Sequence, residues 1–201
     1  SLGQHVACAG FAVKKIIERF EDEEGIDPDD VFPLNDPYQA AIHQSDVYII
    51  APIHFEGRRI AWSATFVHVM DIGAMSPGGN SPGATEVCHE GLRVPGLKLV
   101  ERGKLRRDVF DTLLNMTRQP VMVGLDLKCE IAANNIAKAR IQEIASQYGP
   151  ELLEQVDPLA GRHLRLRPVD EGPRELDGEG VGGGGVDPEV ARLGVSGDGS
   201  E

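Results

Sequence analysis

Two β-like segments separated by a short turn constrain the fold of this chain more than any other feature. Residues 47–53 and 60–67 are rich in Val, Ile, Phe and Trp, which favour strands, and they flank Glu56-Gly57-Arg58. If these three residues form the loop of an antiparallel hairpin, Asp46 faces His68 across the ladder. Their side chains then lie on the same face of the sheet.

The elements around this hairpin predict an α+β fold. Apolar residues at helical spacing predict a helix that ends in the acidic run 21–24, with Gly25 as its stop; they are Val13, Ile16, Ile17 and Phe20. Further helices are predicted over 104–116 and over 137–148, the latter closed by Gly149-Pro150. A central β-hairpin or sheet with flanking helices is typical of α+β proteins rather than of a regular βαβ series.

Composition divides the chain near Pro150. Residues 151–201 hold 11 of the 24 glycines and carry 12 acidic residues against 5 basic ones. Such a segment buries too little apolar surface to offset the entropy of ordering it. We therefore predict a globular domain over 1–150 and a disordered, acidic, Gly-rich tail over 151–201, with a short helix at 151–156.

The whole composition excludes several classes of function. A net charge of −12 leaves no basic face for nucleic acid, and no run of about 18 apolar residues could span a membrane. No secretory signal opens the chain, and Cys8, Cys88 and Cys129 are typical of reduced thiols rather than of a disulfide framework. We expect a cytoplasmic protein, and its start at Ser1 indicates a fragment or a processed product.

The two open ends of the hairpin carry the pairs His43-x-x-Asp46 and His68-x-x-Asp71. Two imidazoles and one carboxylate are a ligand set used by Zn, Mn or Fe ions in the divalent state. A metal held by this set could polarise a carbonyl group or lower the pKa of a bound water. The alternative is that each histidine is an ordinary hydrogen-bonded group near a strand end.

Four other features carry weaker signals. Asn35-Asp36-Pro37-Tyr38 is typical of a turn, because Asn and Asp cap locally and Pro fixes φ. The Gly-rich segment 76–83 lacks the ending of a phosphate loop, although backbone amides alone can form an anion nest. Cys88-His89-Glu90 is too compact to hold one metal with all three side chains. For Cys88 the alternatives are a nucleophile, which no other feature of the sequence supports, and a buried thiol, which is commoner and is expected here. His54 is expected to face solvent.

Six short motifs follow one another over about residues 30–149. They are Asn35-Asp36-Pro37-Tyr38 with His43-x-x-Asp46, Ala61-Trp62 to Pro77-Gly78, Glu90-Gly91-Leu92-Arg93-Val94-Pro95, Asn115-x-x-Arg118-x-Pro120, Gly124-Leu125-Asp126-Leu127 and Ile131-Ala132-Ala133-Asn134. In content and order they resemble the hydantoinase B/oxoprolinase family. Members of that family are several hundred residues longer, so the chain looks like a partial copy whose tail from 151 onward does not resemble the family.

The resemblance implies a metal-binding subunit of an ATP-dependent hydrolase that opens 5-oxoproline or hydantoin-type rings. Its expected partner is a hydantoinase A-type subunit that uses ATP and Mg in a hetero-oligomer. The implied metal ligands are His43, Asp46 and His68. Asp71 and Glu90 are the implied catalytic residues, Asp71 also being able to hold an imidazole or to act as an alternative ligand. The implied substrate-binding residues are Asn35 and Asp36.

Two departures from the family pattern leave the substrate open. Ala40-Ala41 stands where the family usually has Gly-Gly, and Ala74 replaces a glycine. Added methyl groups exclude positive φ angles and would narrow a pocket beside the metal. The alternative functions are a B-like subunit of an ATP-dependent acetone or acetophenone carboxylase, and a non-catalytic assembly subunit or inactive fragment.

Overall fold

A three-stranded antiparallel sheet forms the centre of the structure. A computed structural model describes residues 2–156 of the chain. Strand β1 (Phe32–Leu34) pairs with β2 (Asp46–Phe55), and β2 pairs with β3 (Arg58–His68), in the order β1-β2-β3. With helices on both faces of this sheet, the predicted α+β class is confirmed.

The predicted register of the hairpin is confirmed, although its loop is shorter than expected. Asp46 pairs with His68 across the β2–β3 ladder. The loop consists of Glu56 and Gly57 alone, because Arg58 already pairs with β2. Both loop residues have positive φ angles, 49° and 76°, as a two-residue type I′ turn requires.

A bulge in β3 compensates for the short loop. Ile53 pairs with Ala61, whereas the next residue, His54, pairs with Arg59. Ile60 is therefore the extra residue on β3. Beyond it the strands return to the register that a three-residue loop would have given.

Helix α1 (Leu2–Phe20) packs on the face of the sheet that carries Asp46 and His68. It begins well before the predicted apolar stripe, and it ends at Phe20, just before the acidic run in which its end was predicted. Gly25, the predicted stop, has a φ of 75°, and its amide is bonded to the carbonyl of Phe20. The buried residues on this face are Ala12, Val13, Ile16, Phe20, Phe32, Leu34, Tyr48 and Ile50. This packing brings the first turns of α1 to the open end of the hairpin.

The opposite face of the sheet is covered by helix α3 (Pro120–Tyr148), and helix α2 (Arg107–Asn115) packs against α3. Their core includes Val47, Ile49, Ala51, Leu99, Phe110, Leu113, Leu127 and Ile131. The helix predicted over 104–116 begins only at Arg107, since Lys104–Leu105 forms strand β5 paired with β4 (Val100–Glu101). The helix predicted from residue 137 begins at Pro120, whose missing N–H costs nothing in a first turn.

Helix α4 (Glu151–Val156) confirms the short helix predicted at that position. The rest of the predicted tail, 157–201, lies outside the described residues, so the boundary and its disorder stay predictions. No helix within residues 2–156 is long and apolar enough to cross a membrane. The three cysteines are unpaired as predicted, but Cys88 is exposed, not buried.

Candidate metal centre

Asp46 is the hub of the site. Its side chain is only 1% exposed, at the first residue of β2. Its Oδ1 lies 2.8 Å from His68 Nδ1, and its Oδ2 lies 3.1 Å from His43 Nδ1. One residue distant in sequence, His68, and one close by, His43, thus meet on a single buried carboxylate, as the hairpin register predicted for Asp46 and His68.

A reciprocal turn places His43 beside Asp46. The amide of His43 donates to Asp46 Oδ2 at 3.0 Å, while the amide of Asp46 donates to the carbonyl of His43 at 3.1 Å. This pair of bonds fixes the i, i+3 spacing of the motif. It therefore holds the imidazole of His43 above the end of β2.

Hydrogen bonding keeps the Asp46 carboxylate ionised. Burial alone would raise its pKa, but bonds from the His68 side chain, the His43 amide and the His5 side chain outweigh burial and lower that pKa below its ordinary value. An anionic oxygen donor is the form that binds a divalent cation.

The donor set fits a metal ion. The side chains of His43 and His68 are 61% and 50% exposed, so they face solvent above the buried carboxylate. One ligand atom from each of His43, Asp46 and His68 lies within 4.8 Å of the others. Two imidazoles and a carboxylate with an open side match the requirements of Zn, Mn or Fe(II) sites.

His5 joins the cluster without having been predicted from the sequence. Its Nε2 lies 3.2 Å from Asp46 Oδ2. Its ring stacks on Phe66, with centroids 4.4 Å apart and planes 2° apart. A single histidine on a helix 41 residues before Asp46 in sequence offers no spacing signal, so only the packing of α1 reveals it.

The Gly-rich segment 76–83 lies against His68. Ser45 Oγ donates to the carbonyl of Gly79 at 3.2 Å. A Cβ atom on Gly79 would overlap His68 Nε2. The absence of a side chain at this position therefore allows the segment to pass directly over the imidazole.

We expect Gly79→Ala to weaken metal binding about 10-fold, because the imidazole of His68 must move to make room for the methyl group. Titration of both proteins with Zn²⁺ against a chromophoric chelator measures this. Gly83→Ala is the matched control, since its Cβ would meet only Met75 Cε at 3.9 Å. Equal affinity of Gly79→Ala and Gly83→Ala would contradict the expectation.

Asp71, the second carboxylate of the pairs, has other partners. Its side chain is 2% exposed and accepts hydrogen bonds from the amides of Gly73 and Arg118, at 3.0 and 2.8 Å, and from the Arg118 guanidinium at 3.0 Å. These bonds tie the segment after β3 to the start of α3. The catalytic role of Asp71 stays a prediction, and its contacts support a structural role.

We expect Asp71→Asn to destabilise the chain by about 2 kcal/mol at pH 7, because charged hydrogen bonds are lost. Burial opposes ionisation, but the bonds from Arg118 and Gly73 lower the pKa of Asp71. A lowered folded-state pKa stabilises the fold above the unfolded pKa of about 4, and this stabilisation is lost as pH falls through the folded pKa. Urea unfolding at pH 7 and at lower pH should show a smaller acid loss in Asp71→Asn than in the parent. Exposed Asp22→Asn serves as the control, and identical pH profiles for Asp71→Asn and the parent would refute the expectation.

Asn35 organises the backbone beneath the site. It is fully buried; its Nδ2 donates to the carbonyls of Gln44 and Leu92 at 2.5 and 2.9 Å, and its Oδ1 accepts from the amide of Val94 at 2.5 Å. Asp36 forms the predicted turn, its Oδ1 accepting from the amide of Tyr38 at 2.9 Å. Substrate binding by Asn35 and Asp36 stays a prediction.

Two further residues singled out in the sequence, Glu90 and His54, are not among the contacts of Asp46 given above. Glu90 is exposed at the end of a 3-10 turn, Val87–Glu90, and its catalytic role stays a prediction. His54 does not face solvent freely as expected: it is half-buried, its Nδ1 has no hydrogen-bond partner within residues 2–156, and burial and then Arg59 lower its pKa. At this end of β2, Gln142 Nε2 of α3 donates to the carbonyl of His54 at 2.7 Å.

The chain belongs to the hydantoinase B/oxoprolinase family, whose model matches residues 1–160. The predicted resemblance is therefore confirmed, and it extends beyond 30–149 to include α1 and the start of the segment that was expected not to resemble the family. It is 31% identical to the acetophenone carboxylase delta subunit of Aromatoleum aromaticum, over 86% of this chain and 24% of that protein. It is 32% identical to the caprolactamase subunit beta of Pseudomonas jessenii, over 84% of this chain and 30% of that protein.

A solved structure shares the fold. The nucleotide-free acetone carboxylase, described as carrying out ATP-dependent acetone carboxylation, matches with a TM-score of 0.71 at 29% identity, over 74% of this chain and 20% of that chain. The chain spans 24–30% of the length of the two curated relatives named above. The likeness thus establishes the family and the fold.

Proposed function

We propose that this chain is the metal-binding segment of a subunit in an ATP-dependent enzyme that opens cyclic amides, such as a lactam, 5-oxoproline or a hydantoin. The observation that carries the proposal is the buried carboxylate of Asp46, which lies against the imidazoles of His43 and His68 on an accessible face. The caprolactamase relative, named for a cyclic amide, supports this substrate class.

In this proposal His43, Asp46 and His68 hold a divalent ion. The ion would polarise a carbonyl group or lower the pKa of a bound water. Asp46 contributes the negative charge, and its hydrogen bonds hold that charge in place. The exposure of both imidazoles leaves a small substrate free access to the ligands.

ATP enters the proposal because an amide carbonyl is a poor electrophile. The proposed partner is a hydantoinase A-type subunit that uses ATP and Mg to phosphorylate the amide oxygen, giving ADP. Water then adds to the activated carbon, and the ring C–N bond breaks as the nitrogen takes up a proton and leaves as an amine. A second water hydrolyses the acyl phosphate that remains, giving the carboxylate and free phosphate. Overall, one water hydrolyses the amide, and a second water converts ATP to ADP and phosphate.

Reconstitution with a hydantoinase A-type partner tests the proposal. We expect ATP-dependent ring opening of caprolactam, 5-oxoproline or hydantoin with the parent chain, and a loss of at least about 100-fold with the double variant His43→Ala/His68→Ala. His89→Ala is the matched control, since this histidine pairs with Glu86 and is not in the group of three ligands found within residues 2–156. Undiminished turnover in the double variant would refute the proposal.

A carboxylase subunit is the second candidate, favoured by the acetophenone and acetone carboxylase relatives. In that reaction the activated form of the ketone substrate would be an enol phosphate, and the electrophile would be carbon dioxide or carboxyphosphate. ATP-dependent incorporation of labelled bicarbonate into a ketone, without ring opening of any amide, would identify this activity. A chain that neither binds metal nor supports either reaction would be the assembly subunit or inactive fragment.

The replacements of family glycines do not separate these candidates. Ala40 and Ala41 are 8% and 7% exposed and pack in the core beneath α1, and Ala74 is 3% exposed. Their methyl groups therefore point into the protein interior. The expected narrowing of a pocket beside the metal has no support in this packing.

A further inference from the structure

We propose that His5 is a positioning residue of the metal centre, which fixes the orientation of the Asp46 carboxylate; this inference rests on the proposed metal-binding function. His5 lies on α1, in a different element from each of the three candidate ligands. It would act on the metal through Asp46.

The contacts of Asp46 show what His5 fixes. Oδ2 accepts from the His43 amide at 3.0 Å and lies 3.2 Å from His5 Nε2, whereas Oδ1 lies 2.8 Å from His68 Nδ1. Different elements of the fold thus hold the two oxygens: α1 and the turn before β2 contact Oδ2, and β3 contacts Oδ1. The carboxylate cannot rotate about its Cβ–Cγ bond without giving up one of these contacts.

His5 is itself held in place from three directions. The face of its ring stacks on Phe66, its Nε2 meets Asp46, and its backbone carbonyl accepts a hydrogen bond from the Tyr48 hydroxyl at 3.0 Å. Its side chain is 14% exposed. A ring held in this way loses little further freedom when it bonds to Asp46, so it is suited to orienting a ligand.

The geometry indicates that His5 supports the ligand Asp46 and is not itself a fourth ligand. Within residues 2–156, the group of ligand atoms that lie within 4.8 Å of one another contains His43, Asp46 and His68 but not His5. Hydrogen bonds to a ligating carboxylate raise metal affinity by fixing its orientation. His5 therefore connects the packing of α1 to the strength of metal binding.

Titration of the full chain with Co²⁺ tests this inference, with affinity and the ligand-field absorption spectrum as readouts. We expect His5→Leu to weaken Co²⁺ binding about 10- to 100-fold and to shift the absorption band, because the carboxylate loses one of its fixed contacts. His5→Gln keeps an N–H donor at similar reach and should restore affinity to within a few-fold of the parent. His5→Asn carries the same amide on a shorter side chain and should behave like His5→Leu.

Tyr48→Phe is the control for a general loosening of α1. It removes the bond to the backbone of His5 but leaves the imidazole and its contact with Asp46. We expect this variant to lower the melting temperature while keeping the parent spectrum. If Tyr48→Phe weakens Co²⁺ binding as much as His5→Leu does, the effect belongs to helix packing and the inference is overturned.

The outcomes separate this inference from the proposed function. A parent chain that binds no Co²⁺ would overturn the metal centre, and the role of His5 with it. A parent that binds Co²⁺, with His5→Leu and His5→Asn indistinguishable from it in affinity and spectrum, would overturn the role of His5 alone. The role of His5 is supported if His5→Leu and His5→Asn both lose Co²⁺ affinity while His5→Gln keeps it. If His5→Leu does not fold, the comparison of His5→Asn with His5→Gln tests the role of His5 by itself.

Discussion

Asp46→Asn should weaken Zn²⁺ or Mn²⁺ binding by at least about 100-fold, the largest functional effect that the structure predicts for a single substitution. The amide removes the only negative charge among the three candidate ligands. It also places an N–H donor where one of the imidazoles or the His43 amide now meets an acceptor. Both changes act in the same direction.

Competition titration with a chromophoric chelator measures this affinity directly. Asp108→Asn is the matched control, because Asp108 is an exposed aspartate that pairs with Arg106 away from the hub. We expect this control to bind metal like the parent. Parent-like affinity in Asp46→Asn as well would show that the carboxylate is not a ligand.

Asn35→Ala should destabilise the fold by about 4 kcal/mol, the largest stability effect that we expect. Two buried backbone groups, the carbonyl of Gln44 and the amide of Val94, and one partly buried group, the carbonyl of Leu92, lose their partner at once. A buried polar group left without a hydrogen bond costs about 1–3 kcal/mol. Because Asn35 is fully buried, water cannot replace its amide without local rearrangement.

Urea unfolding followed by circular dichroism gives the free energy of unfolding of both proteins. Asn115→Ala provides the control, since this asparagine is exposed and donates to the carbonyl of Asp111 in its own helix. We expect a change within about 0.5 kcal/mol there. A loss of less than about 1 kcal/mol in Asn35→Ala would mean that the three backbone groups find other partners.

The strand pairing within the hairpin could be predicted from the sequence. Side chains alternate along a strand, so a turn of known length fixes which residues face each other. The pairing of Asp46 with His68 followed from this rule, although the loop has two residues and a bulge at Ile60 makes up the difference. The strand pattern carries no signature of this extra residue on β3.

The first half of α3 was missed because it has no single apolar stripe. Apolar residues occur on several sides of the helix between Pro120 and Ile136, and Gly124 lowers its intrinsic helix propensity. The structure gives the reason for this glycine: a Cβ atom there would lie 3.1 Å from a methyl group of Leu114. Tertiary packing, which a sequence window does not contain, decides the helix.

The sequence predicted only part of the candidate site, because tertiary packing decides which of the predicted residues meet. The two His-x-x-Asp pairs look equivalent in sequence, yet Asp46 contacts three imidazoles while Asp71 binds Arg118. Only the fold distinguishes them, since Arg118 lies 47 residues from Asp71 along the chain. The long separation between His5 and Asp46 hid the third imidazole in the same way.

Elemental mass spectrometry of the purified full chain, beside His43→Ala/His68→Ala and His89→Ala, tests the central claim most directly. We predict close to one divalent metal ion per chain in the parent and in His89→Ala, and none in the double variant. No metal in the parent after dialysis against Zn²⁺, Mn²⁺ or Fe²⁺, or equal metal in all three proteins, would contradict the claim that Asp46 and its two imidazoles form a metal centre.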